Sequence, residues 1–254
     1  MQSFIRKRID WEQPFPPEEY KMRQEKIKKA LGQKNLDAIF ITTPANITWL
    51  TGYDMVWYHL QNLTGLLIKV DSEETLFFDS VAHTAIISTT PEISEVIYVD
   101  EAAVSGSVEE GLSTIATALV DRGLNKARIG LEMWGYTPHK SVMDALSEKL
   151  TNAGMVVEDH WNLIEKERFI KSDLEVQHVR KAAKIADLAM MAAKETIKPG
   201  VMETEVEAEI MRTLMASGGG YPAIRTMLGS GPRSGTHHSA PTRRVMQNGD
   251  IVFV

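Results

Sequence analysis

The sequence predicts an N-terminal α/β domain followed by a second, helix-rich region. Short β-rich runs alternate with segments of helical period through the first part of the chain, the pattern of a sheet covered by helices on both faces. Two amphipathic helical segments then follow, the first of them long and rich in Ala, Met and Lys. We therefore predict a three-layer α/β domain at residues 1–163 and a second domain at residues 164–254.

The first domain opens with a surface helix and a series of strands. Apolar residues are spaced among charged ones from Pro17 to Leu31, and Gly32 ends this helix. The polar run at 71–73 makes the second and third strands a hairpin. Strands are predicted at residues 37–42, 63–70, 74–79, 95–99, 128–132 and 155–158.

Two helices between these strands carry N-terminal signals. Ser107 and Glu110 have the spacing of a capping box, and the helix they begin continues to about Val120. Thr137-Pro138 predicts a cap residue followed by proline at the first helical position. This second helix is expected to run to Gly154.

The second region begins with another capping box. Ser172 and Glu175 start a long helix that extends to Ile197, where a Lys-Pro-Gly sequence stops it. An amphipathic helix at residues 201–216 follows, and three glycines at 218–220 end it. These glycines follow a helix instead of opening one, so they do not form a phosphate-binding loop.

Composition excludes several classes of function. The 254 residues carry a net charge of −6, so general binding to nucleic acid is not expected. The absence of cysteine excludes disulfides, thiolate nucleophiles and cysteine-based metal sites. No apolar run approaches the length of a membrane span, and no secretory signal is seen at the N-terminus. We therefore expect a cytoplasmic protein with no membrane partner.

The two adjacent histidines are the first candidates for chemistry. His237 and His238 lie in a stretch rich in Gly, Ser and Thr that also carries Arg233, Arg243 and Arg244. Adjacent side chains point in different directions, so the pair alone is not expected to bind one metal. An imidazole here could act as an acid or a base. A solvated loop with a chance pair of histidines is the alternative.

An aromatic segment is the second candidate. Trp57, Tyr58 and His59 closely follow Trp49 and Tyr53. Rigid aromatic side chains can enclose a small ligand at low cost in conformational entropy, so the segment could form a substrate-binding wall. An aromatic core beneath a loop, or a dimer contact, explains the same composition.

Three stretches together resemble the creatinase and aminopeptidase P family, whose catalytic domain has the pita-bread fold. They read LDAIFITTPANITWLTGY, ERFIKSDLEVQHVRKAAKIAD and SGPRSGTHHSAPTRRVMQNGDIVFV. The last is the most specific, because members of the family share a Ser-Gly pair, a histidine, a proline, an arginine and a Gly-Asp pair before an apolar strand. The matching positions are Ser230-Gly231, His238, Pro241, Arg244 and Gly249-Asp250.

The resemblance implies the fold and the roles of the candidate residues. Residues 164–254 would form the first portion of the α+β pita-bread domain. His238 would be the catalytic histidine, moving a proton at the substrate, although the neighbouring His237 shares its motif. Trp57, Tyr58 and His59 would contact substrate across the interface of a homodimer. Leu60 stands where creatinase has a basic residue, which disfavours creatine as the substrate.

The resemblance also bears on metals. Peptidase members bind two divalent metals (Mn, Zn or Co) through carboxylates and a histidine in later segments of the fold. Creatinase-type members work without metal. We therefore expect this chain to be truncated within the catalytic domain, to bind no metal itself and to be inactive alone, while the complete protein binds two metals if it is a peptidase.

Three functions remain open at the level of sequence. The first is hydrolysis of C–N bonds by an Xaa-Pro dipeptidase or aminopeptidase acting on short peptides. The second is metal-free hydrolysis of a small nitrogenous compound by a creatinase-like or ectoine-hydrolase-like amidohydrolase. The third is a non-catalytic binding relative that retains the fold.

Overall fold

The computed structural model describes residues 13–55, 63–90, 92–99 and 108–254. The chain divides into two compact units, Met1–Ile170 and Lys171–Val254. Among the described residues, no helix has the length and apolar character needed to cross a membrane.

The first unit contains six helices and six strands within its described residues. The helices are α1 (Pro17–Gln33), α2 (Pro44–Thr51), α3 (Thr84–Thr89), α4 (Val108–Asp121), α5 (Lys140–Asn152) and α6 (Leu163–Phe169). The strands are β1 (Ala38–Ile41), β2 (Gly65–Lys69), β3 (Thr75–Asp79), β4 (Glu95–Tyr98), β5 (Arg128–Leu131) and β6 (Val156–Asp159). All six predicted strands are therefore confirmed, with ends that differ by one or two residues.

These strands form one mixed sheet in the order β4-β3-β2-β1-β5-β6. The predicted hairpin of β2 and β3 is antiparallel, as is the pair β1 and β2. The pairs β3–β4, β1–β5 and β5–β6 are parallel. Parallel neighbours need crossover connections, which explains why helical segments separate them along the chain.

Alternating side chains place the sheet between two apolar layers. Ala38 and Phe40 pack with residues of α4 and α5, whereas Ile39 and Ile41 pack with residues of α1 and α2 on the other face. The Phe40 ring requires glycine at position 65, because a Cβ there would lie 2.2 Å from Phe40 Cζ. The three-layer α/β prediction is confirmed.

Two helix starts differ from the sequence prediction. The predicted start of α5 at Thr137-Pro138 is wrong: the helix begins at Lys140, because the imidazole Nδ1 of His139 accepts from the Ser141 N–H at 3.4 Å and serves as the cap. Helix α2 was not predicted, and Pro44 occupies its first turn. The predicted cap Ser107 lies outside the described residues.

The second unit contains two long helices and a short strand pair. Helix α7 is Asp173–Thr196 and α8 is Glu203–Ala216, while β7 (Gly229–Ser230) pairs antiparallel with β8 (Val252–Phe253). The predicted capping box is confirmed, since Glu175 N donates to Ser172 Oγ at 3.2 Å and Ser172 N donates to Glu175 Oε2 at 2.8 Å. A small apolar core lies beside these elements: Ala189, Ala193, Val206, Ile210, Leu228 and Met246.

Candidate active site

The two candidate histidines lie on residues 231–241, here named the histidine loop, which follows β7. A short 3₁₀ turn at Gly231–Arg233 opens the loop. Internal hydrogen bonds continue its folding, with Ser234 N donating to Gly231 O at 3.0 Å and Thr236 N donating to Arg233 O at 3.0 Å. The loop is therefore a folded segment with its own backbone hydrogen bonds.

Glu203, at the start of α8, binds both ends of the histidine loop. Its side chain is fully buried. Its Oε1 atom accepts from the backbone N–H and the hydroxyl of Ser230, at 2.8 and 2.7 Å. Its Oε2 atom accepts from the backbone N–H and the hydroxyl of Thr242, at 2.8 and 2.7 Å. One carboxylate thus joins the residue before the loop to the residue after it.

Arg233, inside the loop, supplies a cation to the same carboxylate. Its guanidinium also donates to Thr242 Oγ1 at 3.0 Å and to the Ala240 carbonyl at 2.8 Å. Burial would raise the pKa of Glu203, but the hydrogen bonds from Ser230 and Thr242 outweigh it and lower that pKa to about 2. Glu203 is therefore ionised at neutral pH.

A second ion pair lies beside β7. Arg244 contacts Asp250 through two nitrogen–oxygen pairs at 2.6 and 3.1 Å, and it also donates to Ser230 Oγ at 2.7 Å. The hydrogen bond from Arg244 lowers the pKa of the Asp250 carboxyl, with a further contribution from the Gln247 N–H. The arginine of the motif, Arg244, and the aspartate of its Gly-Asp pair, Asp250, are therefore structural partners of each other.

The glycine of the Ser-Gly pair is favoured by its backbone conformation and by the same contacts. Gly231 has φ +54°, a backbone conformation that glycine adopts readily. A Cβ at this position would lie 2.5 Å from both Arg244 Nη2 and Asp250 Oδ1. The motif thus combines a left-handed turn with close approach of the backbone to an ion pair.

The structure distinguishes the two histidines. His238 has φ +63°, which is uncommon for a residue with a side chain, although histidine is among the types that adopt it. The His237 ring is edge-on to Phe253, with ring centroids 6.3 Å apart. Both side chains are exposed within the described residues. His237 therefore contacts β8, whereas His238 has a left-handed backbone conformation and an exposed side chain.

The predicted substrate residues Trp57, Tyr58 and His59 lie outside the described residues, as does Leu60. The structure therefore does not place them relative to the histidine loop.

The described residues on either side of that aromatic segment converge on Asp79. This carboxylate, at the end of β3, accepts from Tyr53 Oη at 2.5 Å and from Thr64 Oγ1 at 3.2 Å. His83 Nδ1 lies 2.9 Å from Asp79 Oδ1. Burial, followed by the charge of Asp79, raises the pKa of Tyr53. Sequence reasoning missed this cluster, although an aspartate ending an apolar strand was a signal that could have found it.

The described residues do not fit a two-metal centre. Within the ranges that the structure describes, no group of three or more His, Asp or Glu side chains is arranged to hold a metal ion. Glu203 and Asp250, two carboxylates near the histidine loop, are each paired with an arginine.

The match to known families follows the division into units. Residues 23–170 match the creatinase/prolidase N-terminal domain, and residues 177–254 match metallopeptidase family M24. The chain belongs to the creatinase/aminopeptidase P family. The expected family is thereby confirmed.

Three curated relatives show the range of this family. An uncharacterized hydrolase/peptidase of Sinorhizobium fredii is 31% identical over 94% of this chain and 62% of its own length. The ectoine hydrolase of Halomonas elongata is 27% identical over 89% of this chain and 58% of its own length. The Xaa-Pro dipeptidase of Pyrococcus furiosus is 26% identical over 92% and 60%. The chain thus spans about three fifths of the length of these relatives.

Solved structures support the fold. The prolidase from Pyrococcus furiosus superimposes with a TM-score of 0.69 at 24% identity, over 90% of this chain and 63% of that chain. The prolidase from Thermococcus sibiricus gives a TM-score of 0.75 at 19% identity, over 92% and 60%. An α/β N-terminal domain followed by the first part of a pita-bread domain is therefore confirmed.

Proposed function

We propose that the complete protein hydrolyses C–N bonds as an Xaa-Pro dipeptidase or aminopeptidase, with His238 as its proton carrier. One observation carries the proposal. Within the segment that matches the M24 family, His238 lies on a loop whose two ends are held by one buried carboxylate. Fixed loop ends restrict where an imidazole can lie, which proton transfer at a substrate requires.

The chemistry assigned to His238 is donation of a proton or a hydrogen bond to the scissile amide. Hydrolysis breaks the C–N bond, and the departing nitrogen must gain a proton. Imidazole is suited to this transfer because it exchanges protons near neutral pH. Glu203 is ionised and fully paired, so it does not compete for this role.

The remaining parts of the proposal concern the complete protein. As a peptidase it would hold two divalent metals (Mn, Zn or Co), which would supply a hydroxide and stabilise charge on the carbonyl. We place it in the cytoplasm as a homodimer, with Trp57, Tyr58 and His59 contacting the substrate at the partner's site. Short peptides that contain proline are the substrate class.

The experiment compares His238→Ala with His237→Ala in the complete protein. We expect His238→Ala to lower kcat on Xaa-Pro dipeptides by about 10²–10⁴-fold, the usual contribution of general acid–base catalysis. His237→Ala should change kcat far less. A larger loss in His237→Ala would move the assignment by one residue, and no activity of the unchanged protein on any amide would favour the non-catalytic alternative.

The second candidate is a metal-free creatinase-like or ectoine-hydrolase-like amidohydrolase that acts on a small nitrogenous compound, and the likeness to an ectoine hydrolase favours it. That relative matches this chain about as well as the dipeptidase does, at 27% against 26% identity. A chelator separates the two candidates, because only a metal-dependent peptidase loses activity when the metal is removed. Retained hydrolysis of ectoine in excess chelator, without dipeptidase activity, would establish the second candidate.

A further inference from the structure

We infer that Glu203 is the positioning residue for His238: by binding Ser230 and Thr242 together, it sets the geometry in which the loop presents the imidazole. This inference rests on the proposed function. Glu203 contacts neither the imidazole nor any reacting atom, so it would act entirely through the loop.

The Glu203 carboxylate joins the two ends of the histidine loop. Ser230 and Thr242 lie 27 and 39 residues beyond Glu203 in the sequence. Their backbone N–H groups and hydroxyls all donate to its two oxygens. A buried donor without its acceptor costs about 1–3 kcal/mol, so separation of the loop ends is strongly disfavoured while the carboxylate is present.

The start of α8 holds this carboxylate in place, because its own backbone is hydrogen-bonded to neighbouring residues. Glu203 N donates to Arg244 O at 3.1 Å, and Thr204 N donates to Thr242 O at 3.1 Å. The first two residues of α8 are therefore hydrogen-bonded to residues 242–244, the segment that the Glu203 side chain also binds through Thr242. Movement of the carboxylate would require movement of the helix start.

The hydrogen bonds described for the Glu203 side chain all come from the histidine loop and from the residues at its two ends. Glu203 is fully buried, and its pKa of about 2 keeps it ionised across the neutral range. Its charge is matched by Arg233, which lies in the loop and also binds Thr242 and Ala240. Both the ion pair and the hydrogen bonds of Glu203 therefore stabilise the loop that carries His238.

The main variant is Glu203→Gln in the complete protein. Glutamine keeps the size of the side chain, but its amide NH₂ faces the donors of Ser230 or Thr242, and Arg233 loses its counter-charge. A displacement of about 1 Å at a catalytic group can lower the rate by about 10²-fold. We therefore expect kcat to fall by about 10–100-fold, with KM changed by less than about threefold, because substrate contacts are left in place.

The matched control is Glu205→Ala on the same helix. The exposed Glu205 accepts from the Met202 N–H at 2.8 Å and so caps α8. Its removal weakens the helix start without removing a contact to the loop. If Glu203 acted only by stabilising α8, the two variants would lose kcat to the same extent.

Hydrogen exchange gives a readout that does not depend on activity. Amides in residues 229–243 should exchange at least tenfold faster in Glu203→Gln, and should be unchanged in Glu205→Ala. If the unchanged protein hydrolyses no amide, the proposed function fails, and the anchoring is then judged on exchange alone. Equal exchange in the two variants would overturn it.

Thr242→Val provides a milder test if Glu203→Gln does not fold. Valine keeps the shape of threonine and removes one hydroxyl donor from Glu203. We expect a three- to tenfold fall in kcat with faster exchange of the loop, and recovery of both in Thr242→Ser. A loop that exchanges faster while kcat is unchanged would show that its geometry does not control His238 and would overturn the inference.

Discussion

Each unit contains a buried glutamate that holds a turn of the chain, and the pKa values of the two are shifted in opposite directions. Glu132 follows β5 and accepts from the backbone N–H groups of Thr42 and Thr43, both at 2.7 Å, at the start of α2. The Asn46 amide donates to its other oxygen at 2.6 Å. Glu203 likewise accepts backbone N–H groups from two residues, Ser230 and Thr242.

The surroundings of the two carboxylates explain the difference. Burial raises the pKa of Glu132 despite the hydrogen bonds from Thr43 and Thr42. Two hydroxyls add to the backbone donors at Glu203, and its partner Arg233 has a side chain that is 32% exposed. The comparison shows that the balance between burial and donated hydrogen bonds sets the direction of the pKa shift of an enclosed carboxylate: burial prevails at Glu132, whereas the donors of Ser230 and Thr242 prevail at Glu203.

The largest expected effect is a difference in the free energy of unfolding at pH 7 between the glutamine variants of the two glutamates. Glu203→Gln should lower the free energy of unfolding of the second unit by about 2–4 kcal/mol, because it leaves buried donors and Arg233 without the carboxylate. Glu132→Gln should cost about 1 kcal/mol or less, since it removes a charge that burial disfavours. In this 254-residue chain all five tryptophans precede residue 171, so its urea unfolding followed by their fluorescence reports the first unit, and ellipticity reports both units. Equal losses would contradict the comparison.

Glycine substitutions test the same contrast between an enclosed core and an open loop. Gly65→Ala places a methyl group against the Phe40 ring in the sheet and should cost about 1–3 kcal/mol by overpacking. Gly231→Ala meets the ends of Arg244 and Asp250, which can move, so about 1 kcal/mol is expected, mostly from its positive φ. Gly32→Ala, with no atom within 4 Å, is the control and should be neutral or stabilising. Thermal unfolding of the three variants checks this order.

The Asp79 cluster offers a smaller test in the first unit. Tyr53→Phe removes the donor to Asp79 Oδ2 while keeping the ring against Phe77, and should cost about 1–2 kcal/mol. Tyr98→Phe removes a hydroxyl that accepts an exposed hydrogen bond from Thr84 Oγ1, so it should lower the free energy of unfolding by about 0.5 kcal/mol or less. Urea midpoints by tryptophan fluorescence measure both. A Tyr53→Phe loss no larger than that of Tyr98→Phe would show that the cluster contributes little.

The pH dependence should have opposite signs at the two glutamates. Because the folded pKa of Glu132 is raised above 4.5, its contribution is present below that value and is lost as pH rises towards the folded pKa. Because the folded pKa of Glu203 is lowered to about 2, its contribution is present above 4.5 and is lost as pH falls from 4.5 towards 2. Unfolding of each Gln variant beside the unchanged protein at pH 3, 5 and 7 tests this. The same sign for both residues would refute it.

Much of the fold could be predicted because its signals are local. The runs around Ile39 and Phe77 alternate between faces, and Ser172 with Glu175 forms a capping box within one turn. Helix α2 could not be predicted in this way, because its segment is rich in β-branched and aromatic residues and because the N–H groups of Thr42 and Thr43, just before the helix, donate to distant Glu132. The start of α5 differs from the Thr137-Pro138 prediction because the side chain of His139 accepts the Ser141 N–H and caps the helix, a role that is uncommon for histidine.

The candidate site was predictable only in part. The motif from Ser230 to Asp250 made His238 a candidate from sequence, because it lies within one short segment. Glu203 gave no such signal, since its partners are far along the chain and glutamate at a helix start is ordinary. The Asp79 cluster likewise joins residues from separate elements.

The sequence by itself determined which segments become strands and helices, which faces are apolar, and which family the motifs resemble, because periodicity, caps and motif spacing act between near neighbours. Only the tertiary structure decided that Glu203 joins the two ends of the histidine loop, and that the pKa values of Glu132 and Glu203 shift in opposite directions. Burial and the approach of donors from distant segments set those properties, and both exist only once the chain has folded.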